Sequence, residues 1–328
     1  MGLETSCDET SVAIVEDGST ILCNVIASQI DLHAKTGGVV PEVASREHVE
    51  QINAVIKEAL DEADCGFSDL QAIAVANRPG LMGALMVGVS AAKALSYALN
   101  LPLIGVHHIE AHIYANFLID PTVQFPLVCL VASGGHTQIF LMRGHGDYEL
   151  LGRTLDDAAG EAFDKSARLL NLGYPGGITI DRLAQSGNRD AIKFPRARLG
   201  PESLDFSFSG LKTSVLNATS SGLDSHPIED WCASLQEAIV EVLVQKTMRA
   251  AANYNVRTVL AAGGVAANSR LQSEMRRACE SRGLHFAVPS KILCTDNAAM
   301  IACAGYHHIL AGHEDGLDLD VIATEALA

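Results

Sequence analysis

Within Val106-His107-His108-Ile109-Glu110-Ala111-His112, His108 and His112 stand four residues apart, so on a helix both imidazoles face one side within a single turn. Three readings fit that spacing: paired metal ligands, polar histidines satisfied inside a helix, or a metalloprotease helix. The last needs a glutamate directly after the first histidine, whereas here the acid is Glu110, in the middle of the spacer and on another face. Two histidines need at least one further ligand, and Cys294-Thr295-Asp296-Asn297 offers Asp296 just before an apolar helix. The same aspartate also reads as a plain helix N-cap. A second acidic run, from Asp156 through Asp157, Glu161 and Asp164 to Lys165, would set Asp157, Glu161 and Asp164 on one helical face. That pattern reads either as solvated surface or as a face that must meet a cation or hydroxyl donors. Beyond it, Gly173-Tyr174-Pro175-Gly176-Gly177 makes a tight turn that brings Asp181 back toward the same neighbourhood.

Phe206-Ser207-Phe208-Ser209 alternates like a short strand and runs into Gly210-Leu211-Lys212-Thr213, which reads as a loop aiming one lysine at an anion. It lacks the glycine spacing of a Walker-type phosphate loop.

Two larger segments must position these groups, and they share one plan: an apolar strand, a glycine turn, then a helix with small residues on one face. The first is Ala72-Ile73-Ala74-Val75-Ala76 followed by Arg78-Pro79-Gly80-Leu81 and a helix to about Ala98; the second is Thr258-Val259-Leu260-Ala261-Ala262 followed by Gly263-Gly264-Val265 and a helix from about Asn268 to Ser281. Each has an upstream hairpin with a polar turn, Glu4-Thr5-Ser6-Cys7-Asp8-Glu9-Thr10 in one half and Ala132-Ser133-Gly134-Gly135-His136-Thr137 in the other. The chain therefore reads as a duplicated α/β domain whose second half carries an insertion at about 151–215. Glycine turns leading into helices expose backbone N–H groups that suit phosphates, so two such turns would grip one nucleotide in a cleft between the lobes.

The balance of 23 Lys+Arg against 39 Asp+Glu gives a net charge of −16, which excludes simple coating of nucleic acid by a basic surface. Local basic groups stand at Lys193, Arg196, Arg198, Arg276, Arg277 and Arg282. Apolar residues make up 48% of the 328, enough for a substantial core in one large or two ordinary domains. The charge-free stretches on either side of Lys93 fall short of the about 18 to 20 residues of a membrane span, and the acidic N-terminus lacks a basic leader, so the expected location is cytoplasmic. None of the eight cysteines forms a CxxC pair, and reduced structural thiols are expected.

Taken together, nine segments resemble one family: Glu4-Thr5-Ser6-Cys7-Asp8-Glu9-Thr10, the run from His33 to Glu42, His107-His108-Ile109-Glu110-Ala111-His112, Ser133-Gly134-Gly135-His136-Thr137, the run from Asp156 to Lys165, Tyr174-Pro175-Gly176-Gly177, the run from Asp205 to Thr213, the run from Ala262 to Asn268, and Cys294-Thr295-Asp296-Asn297. They run in order from residue 2 to about 310 and resemble the TsaD family, the tRNA N6-adenosine threonylcarbamoyltransferases, once described as O-sialoglycoprotein endopeptidases. The resemblance implies a two-lobed actin-like ATPase and sugar-kinase (ASKHA) fold, with an N-terminal lobe at 1–115, a C-terminal helix from about 296–328 packing back on it, and a C-terminal lobe at 116–295. It implies that His108, His112 and Asp296 bind one divalent metal, Fe(II) foremost with Zn(II) as the alternative. It implies that Val131, Ala132, Ser133, Gly134, Gly135, Asp164, Gly177, Asp181 and Asn268 hold threonylcarbamoyl-AMP, and it places Asp8 and Glu9 near the leaving phosphate or the incoming amine. The implied reaction moves the threonylcarbamoyl group to N6 of adenosine 37 in tRNAs reading codons that begin with A, releasing AMP. The implied partners are a TsaB-like paralogue, a TsaE-like ATPase and a TsaC-type enzyme that supplies the adenylate. One departure stands out: Arg78 occupies a position where the family more often has a small residue.

Overall fold

Asp17 and Gly18 take positive φ angles of 50° and 72°, the geometry a tight hairpin needs between the apolar runs at Val12–Val15 and Ile21–Cys23. The computed structural model describes residues 1–120, 122–197, 199–200, 202–220 and 225–328; Arg198 lies outside the described residues. The chain divides into one unit of Met1–Thr122 with Thr295–Ala328 and a second of Val123–Cys294.

The first unit begins with β1 (Gly2–Glu4), β2 (Glu9–Glu16) and β3 (Thr20–Ser28), followed by α1 (Ile30–Ala34) and α2 (Pro41–Glu62), which starts on a proline that needs no N–H partner. Then come β4 (Ile73–Arg78), α3 (Met82–Leu99), β5 (Leu103–His107) and α4 (His108–Tyr114). Its sheet order is β3-β2-β1-β4-β5, with β1 antiparallel to β2 and parallel to β4, and β4 parallel to β5. Leu3, Val12, Val75 and Leu103 of the sheet share a core with Ile52, Val55 and Ile56 of α2 and Val89 of α3. α3 is long and apolar enough to cross a membrane by length and composition, yet it carries Lys93 and packs on α2 and β4.

The second unit repeats the plan with β6 (Leu127–Ala132), β7 (Thr137–Gly144) and β8 (Asp147–Arg153), then α5 (Ala159–Leu169), α6 (Gly176–Ala184), α7 (Ser209–Ser220) and α8 (Ile228–Asn253). β9 (Thr258–Ala262), α9 (Ser269–Glu280), β10 (His285–Ala287) and α10 (Lys291–Cys294) complete it. Its sheet order, β8-β7-β6-β9-β10, matches the first unit strand for strand, with β6 antiparallel to β7 and parallel to β9, and β9 parallel to β10. Duplication is thus visible in topology and in strand direction. Residues 151–153 pair with β7 as the end of β8, so the added segment starts after Arg153 and runs through α7.

The chain then returns to the first unit as α11 (Ala298–Leu310), which packs on β1, β2 and α4. The helix expected to about 328 stops there, because Gly312 turns to φ 79° and the chain goes on as a polar, non-helical tail. That tail is fastened to the ends of β4 and β5: Gly105 N donates to Asp315 Oδ2 (2.8 Å), Asn77 Nδ2 to the Asp320 carbonyl (3.0 Å) and Ile322 N to the Asn77 carbonyl (3.0 Å).

Candidate functional site

α4 exists because β5 ends in an apolar run and His107 caps the next turn, its Nδ1 accepting from Ile109 N at 3.2 Å. All seven residues of α4 are buried. His108 and His112 therefore project from one side of a buried helix, with ring centroids 4.7 Å apart. Asp296 completes the group: its Oδ1 lies 3.2 Å from His112 Nε2 and 3.5 Å from His108 Nε2, and one ligand atom from each of the three falls within 4.8 Å of the others. The N-cap of α11 is Asn297, whose side chain accepts from Met300 N, so the capping role weighed for Asp296 belongs to its neighbour.

The two histidines are held differently. His108 Nδ1 donates to Glu4 Oε2 at 2.9 Å and lies 3.1 Å from Ser6 Oγ. Burial opposes a charge on His108, but the carboxylates of Glu4 and Asp296 outweigh it and push the imidazole up to about 9. His112 is buried, and neither ring nitrogen makes a hydrogen bond to a described residue. A buried imidazole left unsatisfied is costly, and a cation at Nε2 is the partner that would satisfy it without disturbing the packing. The chemistry of the set, two imidazoles and one carboxylate, fits a divalent transition ion. Glu110 faces away and accepts from His308 Nε2 of α11 at 3.0 Å, a contact that raises the His308 pKa. The carboxylate beside the paired histidines that a protease helix requires is therefore missing from α4.

Asp8 and Glu9 stand at the turn from β1 to β2, and Glu9 is close enough to Asp296 to feel its charge. Burial, and after it the charges of Asp296 and Asp8, push the Glu9 carboxyl up to about 10; its Oε1 accepts from Ser28 Oγ at 3.2 Å. The turn is fixed by buried His48, whose Nε2 donates to the Cys7 carbonyl (3.0 Å) while Nδ1 accepts from Thr10 Oγ1 (2.7 Å). Burial lowers the pKa of His48, in keeping with a neutral ring between these two partners.

The second unit brings its expected residues together as a ring of contacts. Val131 and Ala132 end β6; Ser133 closes the turn, donating from N to the His136 carbonyl (2.8 Å) and accepting from Gly160 N of α5 (3.1 Å). Asp164, one turn further along α5, accepts from Gly176 N at 2.8 Å at the start of α6, where Gly177 follows. Burial raises the pKa of Asp164 in spite of these N–H groups. Asp181 of α6 accepts from Ser269 Oγ at 2.7 Å and from Ser269 N. Asn268 caps α9 through Leu271 N (3.0 Å) and donates to Gln236 Oε1 (2.8 Å), so its side chain is already engaged. Gly263, at φ 86°, closes the ring, because a Cβ there would meet the Ala132 carbonyl oxygen at 2.5 Å. Cβ atoms at Gly134, Gly135 and Gly264 would meet nothing within 4 Å, which leaves the turn open on that side.

Three expectations change. The acidic run is not one helical face: α5 begins at Ala159, Lys165 Nζ neutralises Asp157 (2.8 Å) and Glu161 (2.6 Å), and Asp156 accepts from Ser207 Oγ, Phe208 N and Ser209 Oγ ahead of α7. The Phe-Ser alternation is extended as expected, with Phe206 bridged to Thr154 and Phe206 and Phe208 in the core, but the Gly210-Leu211-Lys212-Thr213 that follows belongs to α7 and is not a loop; the anion met here is the protein's own Asp156, while Lys212 stays exposed. In the first glycine turn the N–H groups of Gly80 and Leu81 are already taken: Gly80 N donates to the Ala323 carbonyl and Leu81 N to the Ser6 carbonyl. Arg78 pairs with Glu325 at 2.5 Å, so the unusual side chain of that loop anchors the tail. Sequence reading missed Glu4 as a partner of His108; the signal was a carboxylate in a central strand where an apolar residue belongs.

The repeated five-stranded sheets define a protein of the actin-like ATPase and sugar-kinase class, and solved structures bear this out. HypF of T. kodakarensis superimposes with a TM-score of 0.61 at 17% identity over 80% of this chain and 43% of that one. The activator of the 2-hydroxyisocaproyl-CoA dehydratase from Clostridium difficile gives 0.55 at 13% identity over 95% of each chain. Within that class the chain belongs to the TsaD family, tRNA N6-adenosine threonylcarbamoyltransferase, whose model matches residues 20–303. A relative of that name from Symbiobacterium thermophilum is 55% identical over 98% of this chain and 95% of its own length. The protein is a transferase of tRNA threonylcarbamoylation.

Proposed function

We propose that the chain takes the threonylcarbamoyl group from threonylcarbamoyl-AMP and transfers it to N6 of adenosine 37 in tRNAs reading codons that begin with A. N6 attacks the carbamoyl carbon, the bond from that carbon to the phosphate oxygen breaks, and AMP leaves with the electron pair. The observation that carries the reading is the buried His112, its ring nitrogens without a hydrogen-bond partner beside His108 and Asp296. His108, His112 and Asp296 would hold a divalent cation, Fe(II) or in its place Zn(II), which would supply Lewis acidity toward the carbamoyl group. Asp8 accepts the proton that N6 loses, and Glu9, protonated while its carboxyl stays up at about 10, donates a hydrogen bond to the leaving phosphate. In the second unit Gly134 and Gly135 present backbone N–H groups to the adenylate, and Gly177, which carries no side chain, lets it approach the start of α6. Asp164 and Asp181 hold those elements in place through Gly176 and Ser269.

Partners supply what the net charge of −16 withholds. Of the basic groups among the described residues, Lys193 pairs with Asp190, Arg196 with Glu241 and Arg277 with Glu274, and Arg276 lies over the Phe286 ring. We assign a TsaB-like paralogue, a TsaE-like ATPase and a TsaC-type adenylate-forming enzyme to the reaction, in the cytoplasm where all eight cysteines stay thiols. Exposed Val49 on α2 with Met82, Met86 and Tyr97 on α3 gives the paralogue an apolar face to cover. The test is transfer of radiolabelled threonylcarbamoyl from purified adenylate to unmodified tRNA, with and without the partners. Label at adenosine 37 that disappears with chelator is the expected result, together with weak tRNA binding by the isolated chain. No transfer with partners and metal present removes the proposal.

A further inference from the structure

Glu4 ends β1, the middle strand of the first sheet, and is fully buried. A carboxylate there is costly unless its oxygens are met by donors. Oε1 accepts from Ser6 N, and Oε2 from His108 Nδ1 at 2.9 Å. A carboxylate only accepts, so the proton of this bond belongs to Nδ1, and His108 Nε2 is left as the nitrogen facing Asp296. Ser6 Oγ, 3.1 Å from the same Nδ1, limits rotation of the ring. His112 has no corresponding partner. His108 is thus oriented by a buried anion at its far nitrogen, whereas His112 Nδ1 has no such partner.

We propose that Glu4 is a positioning residue for the His108–His112–Asp296 group: it fixes His108 with Nδ1 protonated and Nε2 free to bind, raises the basicity of that nitrogen, and adds a buried negative charge that favours a dication. The inference rests on the metal reading given above and assigns the metal's hold on this chain to a residue that does not touch it. Outer carboxylates of this kind are typically worth 10- to 100-fold in metal affinity.

The experiment uses the full chain stripped of metal, titrated with Zn(II) against a chromophoric chelator. Glu4→Gln, close in shape and neutral, should bind Zn(II) 10- to 100-fold more weakly than the unaltered chain, and His112→Ala more weakly still. A Glu4→Gln affinity within twofold of the unaltered chain overturns the proposal. Nitrogen-15 NMR of the unaltered, Zn(II)-loaded protein, with His108 assigned through His108→Gln, gives a second reading that does not depend on how well the variant folds. A proton on Nδ1 of His108 is expected, and a proton on Nε2 with the metal at Nδ1 overturns the role of Glu4. An unaltered chain that binds no more tightly than His112→Ala shows instead that the metal reading has failed, and the role of Glu4 falls with it.

Discussion

Asp296 and Asn297 are neighbours with separate tasks, and single substitutions should separate them. Asn297 accepts from Met300 N and starts α11, so Asn297→Ala should cost about 1 kcal/mol in unfolding free energy while metal content stays the same. Asp296 faces His108 and His112, and its charge acts on Glu9. Asp296→Ala should therefore abolish metal binding as read by elemental analysis while α11 keeps its N-cap at Asn297. The opposite pairing of outcomes would return Asp296 to a capping role. Glu110 makes a similar point in reverse, since its place two residues from each histidine suggests a part in the chemistry, yet its carboxylate is tied to His308 on the far side of α4.

At the scale of elements, the glycines of the second unit divide into those that packing requires and those that it leaves open. Gly263 has φ 86°, and a Cβ there would lie 2.5 Å from the Ala132 carbonyl oxygen, so Gly263→Ala must push β9 away from β6. We expect a loss of about 2 kcal/mol or more by chemical denaturation, combining backbone strain with a broken close contact. Gly134 meets nothing within 4 Å and needs no positive φ, so Gly134→Ala should leave the denaturation midpoint where it is. If the turn presents its backbone to the adenylate, the same change should weaken adenylate binding several-fold in a direct binding assay. An unaffected affinity would remove Gly134 from the binding surface and leave only its role in the turn.

For the molecule as a whole, the tail after α11 ties its end to the sheet through buried His107. Its Nε2 donates to the Glu325 carbonyl at 3.3 Å, and burial lowers its pKa from 6.5 to about 4. The unfolded chain takes up this proton first, so the stabilisation is present above pH 6.5 and is lost as pH falls toward 4, by at most about 3 kcal/mol. His107→Asn keeps a side chain able to cap α4 and removes the titration. Unfolding midpoints of the two proteins, measured from pH 7.5 down to 4.5, should converge as the pH falls, because only the unaltered chain loses this contribution. A constant difference between them would mean that His107 stays protonated in both states or in neither.

The sequence by itself determined the duplicated plan, because strand, glycine turn and helix are local patterns set by apolar periodicity and backbone sterics. It also placed His108 and His112 on one face, since a spacing of four on a helix needs no tertiary information. It could not decide between ligand and cap for Asp296, because both roles suit a carboxylate ahead of an apolar helix; the capping reading fell only when Asn297 took the cap. Nor could it tell what the carboxylates of the acidic run would meet, since Lys165, Ser207 and Ser209 reach them through the folding of α5 against α7. The use of Gly80 N–H and Arg78 by the tail, more than 240 residues later, was equally hidden. Glu4 shows the same limit: its type and place broke the apolar pattern of a central strand, but only the packing of β1 beside α4 gave the carboxylate its partner at His108. Local chemistry sets what each residue can do, and the long-range contacts decide which of those capacities is used.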